Sequence, residues 1–213
     1  MIGWQRVTRD WLAWHRDYDD ASTSLSRRLS VVQHHLRTAL RDGVGSLQLI
    51  SVCAGAGRDV LPVLADSNRD VRALLVELDT GLAQDARGTV RRLGLANVRV
   101  VTGNAGTTDV YADFVPAQVV LVCGVFGNIS DDDVRQTIAV LPTLTAPGGV
   151  VIWTRGRQPD DPTSTIRSFF AEHGFNELAF VAPEDDRFSV GVHRLTADAA
   201  RPYEADRRMF VFA

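Results

Sequence analysis

The residues best suited to chemistry are a pair of glycines in a short turn and an acidic residue twenty positions beyond it. Residues 49–59 (LISVCAGAGRD) have the pattern of a strand that runs into Gly55 and Gly57 and then opens a helix. Glycines permit a tight turn and a close ligand approach, and a helix N-terminus presents free N–H groups. Glu77 follows Gly57 by 20 positions (77 − 57 = 20), where a carboxylate suits ribose hydroxyls. The pattern predicts a site for a nucleoside-type cofactor.

The same turn only partly fits a dinucleotide. A G-x-G-x-x-G fingerprint starting at Gly55 requires glycine at position 60, where this chain has Val60. The third glycine allows close packing of helix and strand around a pyrophosphate, so its absence disfavours NAD or FAD. Asp79 is a second candidate for the ribose contact, but strand alternation and a helix cap expected at Thr80 favour Glu77.

The elements around this turn alternate between strand and helix from residue 47 onward. Short apolar runs predict strands buried on both faces, at 47–53, 71–77, 97–101, 118–123 and 149–154. Helical spacing predicts four helices between and after them, starting at Gly57, at Thr80 (ending at Gly94), after Ser130, and over 163–173.

Three further strands with only loops between them are predicted at 176–182, 188–195 and 208–212. Adjacent strands without an intervening helix are usually antiparallel. We therefore expect an α/β fold, a doubly wound and mostly parallel sheet that ends in an antiparallel hairpin. It occupies residues 45–213, and residues 1–44 form an N-terminal helical lid segment with an amphipathic helix ending at Gly43.

Composition removes several classes of function. The chain has 213 residues and no lysine, so its 23 basic residues are all arginine. Schiff-base enzymes, P-loop proteins and protein kinases need a lysine and are excluded. A net charge of −3 does not indicate a basic surface for binding nucleic acid. No apolar run is long enough to span a membrane. Two cysteines in apolar runs indicate reduced thiols and a cytoplasmic protein.

Residues 47–155 resemble a class I S-adenosylmethionine-dependent methyltransferase. The matching segments are the glycine-rich run 51–57 (SVCAGAG), Glu77 at the end of the second strand, 101–105 (VTGNA) and 147–152 (PGGVVI). Four phrases further resemble a poorly characterised bacterial subgroup of that family: 14–18 (WHRDY), 123–128 (CGVFGN), 151–155 (VIWTR) and 190–194 (VGVHR).

The resemblance implies S-adenosylmethionine as cofactor and a Rossmann-like fold. The cofactor contacts that it implies are Cys53, Ala54, Gly55, Gly57, Arg58, Asp59, Glu77, Leu78, Asn104, Ala105, Cys123 and Gly124. Three positions depart from the family: Ser51 replaces its usual acid, Cys53 its first glycine, and Asn104 its usual aspartate. Asn104 can still hydrogen-bond adenine. In place of the acid lost at Ser51, we expect Asp59 or an acid of the N-terminal segment to bind the amino group of the cofactor.

A general base would assist transfer to a hydroxyl or an ammonium group. The candidates for catalysis are His15, Tyr18 and His193, with Arg155 as a binder of an anionic acceptor. Each also has a structural interpretation, His193 for example as an exposed strand residue. The acidic run 131–133 follows Ser130 and is interpreted as the first turn of a helix rather than a metal site; no metal is expected.

No inserted domain is available to grip a macromolecule, so we expect a small-molecule acceptor. An aromatic face of the N-terminal segment would cover it: Trp4, Trp11, Trp14 and Tyr18. Two alternatives stay open, an NAD-dependent oxidoreductase on a similar sheet and a non-catalytic cofactor-binding or interaction module. The sequence does not specify the oligomeric state.

Overall fold

One mixed sheet organises the chain. The computed structural model describes residue 20, residues 23–157 and residues 161–212. Its strands are β1 Leu47–Val52, β2 Val71–Glu77, β3 Val98–Thr102, β4 Ala117–Val122, β5 Thr145–Gly156, β6 Phe175–Val181 and β7 Phe188–Leu195. They lie in the order β3-β2-β1-β4-β5-β7-β6. Strands β1 to β5 run parallel, and β7 pairs antiparallel with both β5 and β6. The predicted fold class is confirmed.

The helices connect the strands or precede them. They are α1 Ser24–Asp42, α2 Leu61–Ala65, α3 Thr80–Arg92, α4 Asp131–Leu144 and α5 Thr163–Glu172, with 3-10 helices at Thr108–Phe114 and Ala197–Ala199. Ser130 caps α4, since its hydroxyl accepts from the Asp133 N–H at 3.1 Å. Gly94 and Gly174 follow α3 and α5 with φ of 67° and 79°, as helix-ending glycines do.

Three details of the predicted elements are wrong. Asp79, not Thr80, caps α3, because its carboxylate accepts from the Leu82 N–H at 2.9 Å. The helix expected from Gly57 begins at Leu61, since the intervening residues form the turn itself. Residues 208–212 form no strand; one isolated bridge joins Arg208 to Thr107.

The sheet is covered on both faces by apolar side chains. One cluster joins α1 and α2 to the sheet and includes Leu36, Leu49, Leu61 and Leu75. The other lies under α4 and α5 and includes Trp153 and Phe170. Neighbouring residues of β1 enter opposite clusters, because successive strand side chains point to opposite faces. This explains the continuous apolar runs in the sequence.

Helix α1 runs from the carboxyl edge of the sheet to its amino edge. At the carboxyl edge the buried Asp186, just before β7, accepts hydrogen bonds from Ser24 and, at 2.6 Å, from Arg27. Further along, the Gln33 side chain donates to the Arg58 carbonyl at 2.8 Å. The middle of α1 therefore lies beside the glycine turn. Across the described residues, no helix has the length and apolar character to cross a membrane.

Candidate functional site

The carboxyl ends of β1 to β4 gather most of the predicted cofactor residues at one edge. The turn after β1 contains three left-handed residues, Cys53, Gly55 and Gly57, with φ of 53°, 55° and 73°. Cys53 keeps this conformation although it carries a side chain, which L-residues adopt at a cost of about 1 kcal/mol or more. The backbone shape of the glycine-rich turn is thus retained where the first glycine is replaced.

Both packing and backbone conformation favour glycine at position 57. A Cβ at this position would lie 2.7 Å from the Leu61 Cδ1 and 2.9 Å from the Leu75 Cδ2. Both leucine side chains would have to move to admit a Cβ, and φ of 73° is itself strained for any residue that carries one. Val60 fills the core at 0 % exposure, which leaves no room there for the close approach that the third glycine of a dinucleotide site provides.

Glu77 fastens the turn to the neighbouring strand. Its Oε2 accepts from the Gly55 N–H at 2.7 Å, and its Oε1 accepts from the Asp79 N–H at 2.8 Å. The side chain is 9 % exposed. A carboxylate has about four acceptor sites, so two remain for hydroxyl donors at the sheet edge. Leu78, next to it, is 64 % exposed.

The turn after β3 places a polar side chain beside a buried one. Asn104 is exposed, and its Oδ1 accepts from the Gly106 N–H at 2.8 Å. Ala105 is buried, and its carbonyl accepts from the Tyr111 hydroxyl at 2.7 Å. The Gly103 N–H donates to the Glu77 carbonyl at 2.9 Å, so the second and third turns share a direct hydrogen bond.

The turn after β4 leaves open space. Gly124 has φ of 74°, and no heavy atom lies within 4 Å of its ideal Cβ. Its N–H donates to the Thr154 hydroxyl of β5 at 2.9 Å, and its carbonyl accepts from Asn128 at 2.7 Å. Thr154 was not among the predicted site residues, because its role depends on a contact across strands rather than on a motif.

Asp59 follows the first turn by two positions. Burial raises its pKa to about 6, although backbone N–H groups and the positive charge of Arg28 act in the opposite direction. Arg28 lies on α1, and sequence spacing gave no signal for it. Burial also raises the pKa of the thiols of Cys53 and Cys123, so both are protonated at neutral pH.

The four candidates for catalysis have different positions. His15 and Tyr18 lie outside the described residues, as do Trp4, Trp11 and Trp14. Arg155 lies at the end of β5, where it donates to the Phe126 carbonyl and its Nη2 lies 3.8 Å from the Asp131 carboxylate. It therefore braces the loop between β4 and α4.

His193 lies away from the edge. It pairs with Val151, four residues before Arg155, so it lies roughly 13 Å along the strand from that edge. The interpretation as an exposed strand residue is wrong: the side chain is 1 % exposed and stacks on Phe170 at a centroid distance of 4.3 Å. Burial lowers its pKa to about 4.

The acidic run 131–133 begins α4 as expected. Asp133 pairs with Arg208 at 2.9 Å. Within the part of the chain that the structure describes, no group of three histidine, cysteine or acidic side chains could hold a metal ion.

Similarity to known proteins agrees with this geometry. Residues 24–173 match a family model described as "Putative methyltransferase". The sequence matches none of the curated proteins.

Among solved structures, the fold is similar to an O-methyltransferase family protein from Burkholderia thailandensis. The TM-score is 0.68 at 15 % identity, over 89 % of this chain and 61 % of that one. It is also similar to magnesium protoporphyrin IX methyltransferase from Synechocystis PCC 6803 with bound S-adenosylmethionine, with a TM-score of 0.66 at 13 % identity over 89 % and 92 %.

An RNA methyltransferase from Salinibacter ruber in complex with S-adenosylhomocysteine is also similar, with a TM-score of 0.53 at 18 % identity over 84 % and 97 % of the two chains. At these identities the structures establish the fold, and the family match covers more than half of the chain. The resemblance noted in the sequence is confirmed at the level of the family: the chain belongs to this methyltransferase family, and it shares its fold with methyltransferases solved with bound S-adenosylmethionine or S-adenosylhomocysteine.

Proposed function

We propose that this protein transfers the methyl group of S-adenosylmethionine to a small-molecule acceptor at the carboxyl edge of its sheet. The observation that carries the proposal is the position of Glu77. Its carboxylate ends β2 beside the turn after β1 and keeps acceptor capacity after binding two backbone N–H groups. Ribose hydroxyls are the donors that this arrangement suits best.

The adenine side of the cofactor is assigned to the turns after β3 and β4. Asn104 would offer its side-chain amide, and the space beside Gly124 would admit a planar ring. Ala105, Cys123 and Leu78 complete the apolar surroundings. The open space at Gly124 favours this placement, because a Cβ there would enter the proposed site.

The amino group of the methionine portion is assigned to Asp59, since Ser51 cannot supply the usual carboxylate. Ser51 is buried within β1 at 1 % exposure. Asp59 instead follows the turn and lies close enough to Cys123 for its charge to raise the pKa of that thiol. The nearby charge of Arg28 suits the carboxylate of the same methionine portion. Arg58 precedes Asp59 directly after the turn.

The cofactor supplies a sulfonium methyl that is already electrophilic, so the protein's task is to bind, orient and exclude water. Thr154 and Asn128 hold the turn at Gly124 from both sides, which fixes the turn beside the proposed adenine pocket. His15 and Tyr18 remain the proposed source of a general base.

The segment at the carboxyl edge of the sheet and the charge of the chain favour a small acceptor. Ser24 begins α1 at this edge, and we assign the aromatic residues that precede it to a cover over the acceptor. The net charge of −3 gives no electrostatic attraction for nucleic acid. The buried Val60 disfavours the NAD-dependent alternative.

Calorimetric titration with S-adenosylmethionine and S-adenosylhomocysteine tests the cofactor site, and NAD is the matched negative ligand. We expect binding of both adenosyl ligands and none of NAD. Incubation with methyl-labelled cofactor and a cell extract, split by size into small molecules and macromolecules, tests the acceptor. Label in the small-molecule fraction supports the proposal. Label only in protein or RNA contradicts the acceptor class, and absence of adenosyl binding contradicts the cofactor site.

A further inference from the structure

The residues after the last 3-10 helix form a strap, residues 203–212, that returns to the carboxyl edge. We propose that this C-terminal strap positions the adenine side of the cofactor site by joining the turn after β3 to the start of α4. The inference rests on the proposed function, since it concerns the same site. It assigns a role to a segment that has no part in the methyltransferase motifs.

The strap binds the turn after β3 at one residue. The Met209 and Phe210 N–H groups both donate to the Gly106 carbonyl, at 2.7 and 3.4 Å. A Cβ on Gly106 would lie 2.3 Å from the Phe210 carbonyl oxygen, so the strap can pass here only over glycine. The Gly106 N–H in turn donates to Asn104. The strap therefore holds the residue that closes the Asn104 turn.

The strap also occupies the polar groups of Thr108, two residues further on. The Thr108 N–H donates to the Arg207 carbonyl at 3.0 Å, and its hydroxyl donates to the Glu204 carbonyl at 2.8 Å. The same hydroxyl accepts from the Arg207 N–H, and the Thr108 carbonyl accepts from Tyr203, both at 3.0 Å. Thr108 is fully buried, so the strap satisfies groups that would otherwise be costly to bury.

The strap's other partner is the first turn of α4. The Asp133 Oδ2 accepts from the Val211 N–H at 3.1 Å, and its Oδ1 pairs with Arg208 at 2.9 Å. One turn later the single hydroxyl proton of Thr137 is shared between the Asp133 carbonyl at 2.7 Å and the Met209 carbonyl at 3.1 Å. Asp133 is 7 % exposed, so these partners supply the hydrogen bonds that a buried carboxylate needs. The strap thus bridges the segments that follow β3 and β4.

The need for such a bridge follows from the crossover between β3 and β4. Parallel strands are usually connected through an α-helix, but this crossover has only a 3-10 helix of 7 residues, Thr108–Phe114. Met209 and Phe210 fill the space above it, at 0 % and 3 % exposure. The strap therefore supplies both packing and hydrogen bonds beside the proposed adenine pocket.

Two variants loosen the bridge without touching the proposed cofactor residues. Asp133→Ala removes the acceptor for Val211 and Arg208, and the milder Thr137→Val removes one donor to Met209. We expect the Kd for S-adenosylhomocysteine to rise about 3- to 30-fold, the range of positional coupling between packed segments. The Kd for adenosine should rise by the same factor, because the disturbance lies on the adenine side. Ile166→Val, a core change in α5, is the matched control and should leave both values unchanged.

Hydrogen–deuterium exchange on the wild type supplies a readout that does not depend on a variant folding. Coupling is reciprocal, so S-adenosylhomocysteine should slow exchange in residues 203–212 although none of them is a proposed contact. Unchanged Kd values in the folded variants, or unchanged exchange in the strap on binding, would overturn the inference. Failure of the wild type to bind S-adenosylhomocysteine would instead count against the proposed function.

Discussion

At the residue scale, the carboxylate of Glu77 has a structural role and a proposed binding role. It holds the turn through Gly55 and the start of α3 through Asp79, and it is proposed to bind ribose. Glu77→Ala should weaken binding of S-adenosylmethionine by about 1–3 kcal/mol, the value of hydrogen bonds to a charged group. Calorimetry on the folded variant measures this change.

Asp79→Ala is the matched control, because it removes the α3 cap in the same loop and costs helix stability of about 1 kcal/mol. Its affinity for the cofactor should stay at the wild-type value. If Asp79→Ala loses affinity and Glu77→Ala does not, the ribose contact belongs to Asp79.

Asp59 gives the proposed amino-group contact a pH signature. Its pKa of about 6 in the unbound protein means that acidification protonates the carboxylate that would bind an ammonium group. The Kd for S-adenosylmethionine should therefore rise by up to about tenfold between pH 7 and pH 5. Calorimetric titrations of the Asp59→Asn variant should give a Kd that does not change across this pH range. A slope that persists in that variant would place the titrating group elsewhere.

At the element scale, α1 is anchored through Asp186. Ser24, Arg27 and the Arg187 N–H all donate to this carboxylate. Asp186→Ala should lower the free energy of unfolding by about 1–3 kcal/mol, since several hydrogen bonds to a buried charged group are lost. Chemical denaturation of this variant and of Asp185→Ala, whose side chain is exposed, measures the difference. Equal stability of the two variants would mean that apolar packing alone holds α1.

Elements with local signals could be predicted from the sequence. Ser130, Gly94 and Gly174 mark helix ends through their own residue types, and the apolar runs mark β1 to β7. Thr80 and Asp79 are adjacent and both suit a cap, so composition alone could not choose between them. The strap could not be predicted, because residues 208–212 contain an apolar run like that of a strand, while their partners, Gly106 and Asp133, lie far away along the chain.

The same distinction applies to the site. Glu77 and the glycine turn have fixed spacing that a sequence displays, whereas Thr154 and Arg28 reach the edge only through the packing of β5 and α1. His193 shows most clearly what strand alternation cannot predict. Alternation in β7 places it on one face of the sheet, but only the position of α5 makes that face buried.

At the scale of the whole molecule, His193 links stability to pH. Its imidazole lies in the aromatic cluster under α5, with neither ring nitrogen hydrogen-bonded. Glu177 is 3.9 Å from Nε2, but Arg167 occupies that carboxylate at 2.6 and 2.7 Å. Burial therefore dominates and lowers the pKa to about 4, below the value of about 6.5 expected in the unfolded chain.

The unfolded chain binds a proton at His193 before the native state does, so stability must fall as the pH decreases from 6.5 toward 4. The contribution is fully present above pH 6.5, and the loss approaches about 3 kcal/mol at pH 4. Asp59 titrates in the opposite sense near pH 6, so the informative quantity is the difference between the wild type and His193→Phe, which both retain Asp59. Denaturant unfolding at pH 7.5, 6, 5 and 4.5 should show the wild type losing stability relative to His193→Phe at each step. If the free energies of unfolding of the two proteins change in parallel with pH, His193 has a pKa near its ordinary value. Water or a hydrogen-bond partner would then reach its ring in solution.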